Sequence, residues 1–231
     1  STPARTDIMK LKPATKEEII ALESNNINYR SIIGMLNWIT KTIRVDVCFV
    51  SNFLSRFLCT AGKPHYDAAL RVIRYLLRTK DSGLLIKKDN LNKMELIIEV
   101  DSDWAGCINT RRSTIGILVF LDTTLIEWRC IYGKTIVLST AEAELIAIKH
   151  GTATAIFYRN LLASTGFIQE KPTIIRSDSK AAIAAISKGL MSSKLRHAAI
   201  SLYFIRQAIE NKEVKLSWIP GNENLSDMLT K

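Results

Sequence analysis

The chain has 231 residues, of which 47% are hydrophobic, so it holds enough apolar material for one large domain or for one domain with an appended segment. Its 32 Lys and Arg residues outnumber its 22 Asp and Glu residues, which gives a net charge of +10. This balance favours a polyanionic partner such as nucleic acid or an anionic membrane surface, although a merely soluble basic protein has the same composition.

Simple sequence patterns argue against a membrane or secreted protein and against a protein built on zinc sites or disulfides. No run approaches the roughly 18 consecutive apolar residues of a membrane span, and the first residues do not resemble a secretory signal, so the sequence predicts an intracellular protein with no membrane partner. The cysteines lack Cys-x-x-Cys spacing and nearby histidines, which argues against a zinc site or a disulfide framework. We expect reduced thiols in or near the core at all four positions: Cys48, Cys59, Cys107 and Cys130.

The first part of the chain has the pattern of a helical segment. Residues 1–28 are polar and predict a tether with one short helix over residues 16–23, capped by Thr15. Between residues 29 and 58 the apolar side chains recur at steps of three and four, which predicts two packed helices. A third helix, over residues 64–79, carries a basic stripe that is either a phosphate contact or a solvated face, the usual explanation for such a run. The stripe consists of Arg71, Arg74 and Arg78.

Beyond a boundary near residue 94 the pattern changes to strands. Alternating or continuous apolar runs predict strands over residues 96–100, 115–121, 125–130, 173–177 and 214–219. Helical patterns cover residues 140–163, 179–187 and 198–211, and a helical stub follows the last strand over residues 225–230. Three strands followed by alternating helices and strands predict an α/β fold, a mixed five-stranded sheet flanked by helices.

Four acids occupy positions where a strand or a helix delivers them to one edge of this sheet. Asp101 and Asp178 end the first and fourth predicted strands, so they meet if those strands are neighbours. Glu144 lies in the first turns of the long helix, and Asp227 lies in the stub after the last strand. Carboxylates a few ångströms apart cannot all ionise without a cation. Oxygen ligands without Cys or His select Mg²⁺ or Mn²⁺, and two such ions about 4 Å apart are the recurring apparatus for phosphodiester cleavage.

The order and setting of these acids resemble the catalytic acids of ribonuclease H. More narrowly, three motifs are similar to the ribonuclease H domain of copia-type (Pseudoviridae) LTR retrotransposon polyproteins: Asp101-Ser102-Asp103-Trp104-Ala105-Gly106, Arg111-Arg112-Ser113-Thr114 and Leu138-Ser139-Thr140-Ala141-Glu142-Ala143-Glu144. Three upstream motifs of this chain resemble the segment that joins polymerase and ribonuclease H in these elements: Tyr29-Arg30-Ser31-Ile32-Ile33-Gly34, Leu54-Ser55-Arg56-Phe57 and Arg71-Val72-Ile73-Arg74-Tyr75-Leu76.

The resemblance implies a division into a polar tether (1–28), a helical connection segment (29–94) and a ribonuclease H-like domain (95–231). It implies cleavage of the RNA strand of RNA/DNA hybrids during reverse transcription, with two Mg²⁺ or Mn²⁺ ions held by the four acids. The partners would be the hybrid and the polymerase portion of the same polyprotein, in a cytoplasmic virus-like particle or in the nucleus. The sequence carries no signal for an oligomeric state. Hybrid contacts are expected from the basic stripe and from Arg111, Arg112, Ser113 and His197.

Some positions depart from the family pattern. The family commonly has Lys-His-Ile-Asp where this chain has Arg196-His197-Ala198-Ala199, so Ala199 removes an acid, and His197 is either a substrate contact or a capping or packing residue. No two Asp residues are adjacent, so the chain lacks the Asp-Asp pair of a reverse transcriptase polymerase site. A second hypothesis therefore stays open, in which the chain is a catalytically silent scaffold or nucleic-acid-binding subunit derived from such an element.

Overall fold

The computed structural model describes residues 2–86, 94–188 and 199–231. Its backbone separates into two compact units, one formed by residues 1–84 with 107–110 and the other by residues 85–106 with 111–231. The division into tether, connection segment and ribonuclease H-like domain stays a prediction.

The first unit is helical. Thr15 begins its first helix with a capping box, in which its hydroxyl accepts from Glu18 N while the Glu18 carboxylate accepts from Thr15 N. Asn28 caps the second helix through Ser31 N. The helices, close to their predicted bounds, are α1 (Lys16–Ser24), α2 (Tyr29–Thr42), α3 (Cys48–Ser55) and α4 (Lys63–Arg78).

The core of this unit consists of apolar side chains that recur at helical spacing. Ile33 and Leu36 of α2 pack with Phe53 of α3 and are almost completely buried. Ile8 and Leu22, within the stretch predicted as a polar tether, lie in the same buried cluster. Few apolar residues in a polar stretch thus suffice to pack it against a helical core.

One partly buried ion pair fixes the link between α2 and α3 to the end of α4. The Arg44 guanidinium donates to both Asp46 oxygens, at 2.9 and 2.8 Å, and to Thr79 O at 2.9 Å. Tyr75 OH donates to Asp46 Oδ2 at 2.7 Å. The guanidinium holds the pKa of Asp46 below its usual range despite partial burial, which by itself raises that pKa.

The second unit contains the predicted mixed sheet. Its elements are β1 (Leu96–Asp103), β2 (Thr114–Leu121), β3 (Thr124–Tyr132), α5 (Thr140–Ser164), β4 (Thr173–Ser177), α6 (Lys180–Lys188), α7 (Ala199–Glu210), β5 (Val214–Trp218) and a short 3-10 helix (Leu225–Leu229). The strand order is β3-β2-β1-β4-β5. β1 pairs antiparallel with β2 and parallel with β4, and β5 pairs parallel with β4. The expected five-stranded mixed sheet with flanking helices is therefore confirmed.

The two faces of the sheet are covered by different elements. The long helix α5 packs against one face, where a Cβ added at Gly151 would lie 2.8 Å from Val100 Cγ1. The other face is approached closely by the 3-10 helix Leu225–Leu229, because a Cβ added at Gly116 of β2 would lie 2.5 Å from the Ser226 carbonyl oxygen. Glycine at position 116 leaves room for this backbone contact.

Three further features concern the helices, the cysteines and one tryptophan. No helix among residues 2–86, 94–188 and 199–231 combines the length and the apolar character that a membrane crossing demands. None of the four cysteines is in a disulfide, but Cys59 is exposed rather than placed in or near the core. Trp104 keeps 44% of its surface exposed while its indole N–H donates to Val137 O at 3.2 Å.

Candidate active site

Parallel pairing of β1 with β4 brings two of the predicted acids together. The register pairs Glu99 with Arg176, so Asp101 and Asp178, each two residues further along, reach the same edge of the sheet. Glu144 approaches that edge from α5. One carboxylate oxygen from each of these acids lies within 4.8 Å of those of the other two. This group is called the three-acid cluster below.

Asp101 is held in a buried position within β1 and is only 4% exposed. The Thr230 hydroxyl, itself fully buried, donates to Asp101 Oδ2. Burial raises the pKa of Asp101, and the negative charges of Asp178 and Asp227 raise it further, while the Thr230 hydrogen bond opposes the shift. A cation at this position would relieve the burial cost of the ionised carboxylate.

Glu144 is the most perturbed acid of the site. Ser102 Oγ donates to Glu144 Oε1 at 2.7 Å, whereas Oε2 is buried and has no hydrogen-bond partner among the described residues. Burial raises the pKa of Glu144 to about 8, against the lowering effect of Ser102, and the charges of Asp101 and Asp178 add to the rise. A carboxylate beside two other acids with one oxygen left unpaired is suited to bind a cation.

Asp178 follows β4 in a turn that β5 and the next loop hold in place. Trp218 donates its indole N–H to the Asp178 carbonyl oxygen at 3.0 Å, and the Lys180 ammonium lies 4.1 Å from the centre of the Trp218 ring. A Cβ added at Gly221 would lie 3.1 Å from Asp178 Oδ2. The Asp178 side chain therefore packs on one side against the backbone of Gly221, where there is little room for a larger residue.

Asp227 is close enough for its charge to act on Asp101, but it is not one of the described acids whose carboxylate oxygens lie within 4.8 Å of one another. It sits in the 3-10 helix Leu225–Leu229, called the Asp227 segment below, and pairs with the Lys231 ammonium. This contact raises the pKa of Lys231, to which the charges of Asp101 and Asp103 also contribute. The fourth predicted acid is therefore an electrostatic neighbour of Asp101 rather than a member of the compact group.

Side chains and backbone groups around β1 position the Asp227 segment. Asn224 is buried, donates from Nδ2 to Val100 O at 3.0 Å, and accepts from Ser226 N at 3.2 Å. Leu225 N donates to Glu99 Oε2 at 3.3 Å. With the Thr230 bond to Asp101, three consecutive residues of β1 hold this segment, although the sequence offers no strand or long helix there.

Two further acids beside the cluster have other contacts. Strand β1 continues to Asp103, whose carboxylate folds back over Gly106, where an added Cβ would overlap it. Glu142 is buried at the start of α5, where its Oε2 accepts from Leu138 N at 2.7 Å and its amide donates to the N-cap Ser139 at 3.2 Å. Glu142 thus stabilises the N-terminus of α5.

The arginines of the basic stripe differ in their accessibility. Arg74 and Arg78 are exposed on α4, whereas Arg71 is half-buried and donates to Thr2 O at 3.3 Å. A role of these residues in nucleic-acid binding stays a prediction, and the two exposed arginines are the better placed for it.

The residues after β1 that are expected to contact nucleic acid also differ in their accessibility. Arg111 is exposed, and the Arg112 guanidinium lies 5.9 Å from the centre of the Tyr132 ring. Ser113 is only 4% exposed and its hydroxyl accepts from Ala105 N at 3.2 Å, so it shapes the loop. His197 lies outside the described residues. The binding role of all four residues stays a prediction.

Sequence reasoning missed the residues that support the acids. Ser102, Thr230 and Glu99 have no pattern that marks them, because their partners are distant in sequence. Gly116 could have been noticed, since an isolated glycine inside a β-strand often marks a close backbone approach.

Chemically, the cluster offers only carboxylate oxygens, which are the ligands that hard divalent cations prefer. Burial, and to a smaller extent the neighbouring acids, raises the pKa of both Asp101 and Glu144, so the ionised cluster is costly without a cation. The geometry can therefore bind a metal ion at the edge of the sheet.

Comparisons with known proteins agree with the sequence motifs. No protein-family model matches the chain. It is 29% identical to the retrovirus-related Pol polyprotein from transposon RE2 of Arabidopsis thaliana over 99% of its length, and 30% identical to that from transposon TNT 1-94 of Nicotiana tabacum over 96%. The chain spans only 16% of the length of each of these relatives. Among solved structures, LC11-RNase H1 isolated from compost is 16% identical, with a TM-score of 0.47 over 59% of this chain and 93% of that one. The homologues of this chain are thus Pol polyproteins of copia-type retrotransposons, the family that its motifs resemble, and the chain aligns with a short part of them.

Proposed function

We propose that the chain is a divalent-metal-dependent endonuclease, a ribonuclease H, which hydrolyses the RNA strand of RNA/DNA hybrids during reverse transcription. The observation that carries this proposal is the convergence of Asp101, Glu144 and Asp178 from β1, α5 and the end of β4 within 4.8 Å of one another. Three acids with these distant origins have no mutual stabilisation to offer, so a bound cation is the simplest reason for their proximity.

The residues present fit Mg²⁺ or Mn²⁺. The three-acid cluster contains no sulfur or imidazole ligand, and the buried Glu144 Oε2 lacks a partner among the described residues. Asp101, Glu144 and Asp178 would hold one ion, and Asp227 with Asp101 would complete the place for a second. When bound, such ions activate water and stabilise the leaving oxygen of a phosphodiester.

The protein's own groups would position and retain the substrate. Thr230 fixes one oxygen of Asp101, and Trp218 fixes the backbone turn that carries Asp178, so the Asp101 carboxylate and this turn are held before substrate arrives. Exposed Arg74, Arg78 and Arg111 could neutralise backbone phosphates, which would supply affinity without reading sequence. Choice of RNA over DNA would depend on 2′-hydroxyl contacts and on the shape of the hybrid.

The setting proposed for this activity is a reverse-transcribing polyprotein. Its partners would be the hybrid and the polymerase portion of the same polyprotein, inside a cytoplasmic virus-like particle or in the nucleus. The relatives that support this setting are Pol polyproteins, of which this chain matches one part.

The test is cleavage of a labelled RNA/DNA hybrid by the purified chain, with Mg²⁺ or with a chelator. We expect cleavage only with the metal, and a loss of at least about a hundredfold in rate for Asp178→Asn, because one metal ligand is removed. Asp81→Asn makes the same chemical change at an exposed position and should leave the rate unchanged.

An Asp178→Asn variant that cleaves at the wild-type rate would overturn the proposal. Salt-dependent binding of the hybrid by the wild-type chain with no metal-dependent cleavage would instead favour the catalytically silent scaffold.

A further inference from the structure

The acids of the three-acid cluster reach it from opposite faces of the sheet. Val100 and Ile98 face α5, since a Cβ added at Gly151 of that helix would lie 2.8 Å from Val100 Cγ1 and 3.6 Å from Ile98 Cγ2. Side chains alternate along a strand, so Ser102 is on this face too. Glu144, which belongs to α5, therefore begins on the side of the sheet that Ser102 shares.

Asp101 is on the other face. Its carboxylate accepts from Thr230, and Glu99, two residues earlier on the same face, accepts from Leu225 N of the Asp227 segment. Glu144 nevertheless has a carboxylate oxygen within 4.8 Å of one of Asp101, so its side chain extends from the α5 side toward the far face. An extended Glu side chain has several torsions to restrain, so reaching this position requires a specific contact.

Ser102 supplies that contact. Its hydroxyl donates to Glu144 Oε1 at 2.7 Å, while Oε2 is buried without a partner among the described residues. The two oxygens of the Glu144 carboxylate thus differ: Oε1 is bonded to the strand, and Oε2 is left without a partner among the described residues, in a carboxylate that has an oxygen within 4.8 Å of those of Asp101 and Asp178.

We propose that Ser102 is a positioning residue that anchors one oxygen of Glu144 at the end of β1, so that the other oxygen is presented to a divalent cation in the three-acid cluster. This inference rests on the proposed function, because it assigns the metal-binding geometry of the same site. Ser102 touches neither metal nor substrate in this assignment and acts only through Glu144.

The test measures Mn²⁺ affinity directly, by calorimetry or by the electron paramagnetic resonance signal of free Mn²⁺, on the full chain without nucleic acid. Ser102→Ala should weaken Mn²⁺ binding by about tenfold, because a hydrogen bond to a charged group is lost. Ser102→Thr keeps the hydroxyl and suits a β-strand, so its affinity should stay within about threefold of wild type. Ser164→Ala, at the far end of α5, is the matched control, since the Ser164 hydroxyl donates only to Leu161 O in the same helix.

A second readout separates positioning from folding. Ser102→Gly also lacks the hydroxyl, and both it and Ser102→Ala should show unchanged circular dichroism, with cleavage that regains most of its rate at raised Mn²⁺ concentration. If Ser102→Ala binds Mn²⁺ as tightly as wild type, the inference about Ser102 is overturned. The proposed function would still stand in that case, provided that the wild-type chain cleaves the hybrid. A wild-type chain that binds no Mn²⁺ would overturn both.

Discussion

Replacing Glu144 by Gln should stabilise the metal-free protein at high pH and make it inactive. The fold raises the pKa of this carboxyl from 4.5 to about 8 through burial and the nearby acids. The native state therefore holds a proton that the unfolded chain has already released, and stability falls as pH rises between these two values. A shift of this size corresponds to about 2–5 kcal/mol of unfolding free energy, with the lower end allowing for coupling to Asp101 and Asp178.

The assay is urea unfolding in the presence of a chelator, at several values between about pH 5 and pH 9. Glu144→Gln should match wild type within about 1 kcal/mol near pH 5 and exceed it by about 2–5 kcal/mol near pH 9, because the glutamine has no charge to bury. Glu210→Gln, which changes an exposed carboxylate on α7, should follow the wild-type curve throughout. Parallel pH profiles of Glu144→Gln and wild type would refute the reasoning.

Three more outcomes can be measured. Gly116→Ala should lower the free energy of unfolding by about 1–3 kcal/mol and slow cleavage, because the new Cβ would lie 2.5 Å from the Ser226 carbonyl oxygen. Gly34→Ala in α2 is the control, since its new Cβ meets nothing within 4 Å and should be neutral or stabilising. Urea unfolding of the two variants compares them. Asp46→Ala should destabilise the helical unit by about 2–3 kcal/mol in thermal melts, because it leaves the buried Arg44 guanidinium without its carboxylate partner. Mn²⁺ binding near pH 7 should release protons from the three-acid cluster, so the binding heat measured by calorimetry should change with the ionisation enthalpy of the buffer. A binding heat that is the same in all buffers would contradict the raised pKa of Glu144.

Much of the fold could be predicted because local patterns and tertiary structure agree. Strand β4 begins and ends at its predicted residues, Thr173 and Ser177, since its apolar run is short and bounded by turn residues. Strand β1 is longer than predicted and includes Asp101 and Asp103. Pairing with β2 through Thr114 extends the strand beyond its apolar run, and this long-range pairing has no local signal.

The candidate site was predictable to a similar degree. Its acids could be found because they stand at strand ends and in family motifs, and the parallel pairing of β1 with β4 does bring Asp101 and Asp178 together. The separate placement of Asp227 could not be predicted, since it depends on Asn224 and Glu99 contacts that join residues more than a hundred positions apart. Spacing in the sequence identifies candidate ligands but does not measure the distances between them.

The attachment of the Asp227 segment bears on how the site would open. The segment has five residues and is held to the sheet by isolated hydrogen bonds from Asn224, Leu225 and Thr230, instead of by strand pairing. Short elements of this kind detach in local fluctuations that cost less free energy than unfolding of the sheet. Amide hydrogens of Leu225–Leu229 should therefore exchange with solvent faster than those of β1. The site would then consist of a permanent half, which lasts as long as the sheet, and a half that repeatedly docks onto it.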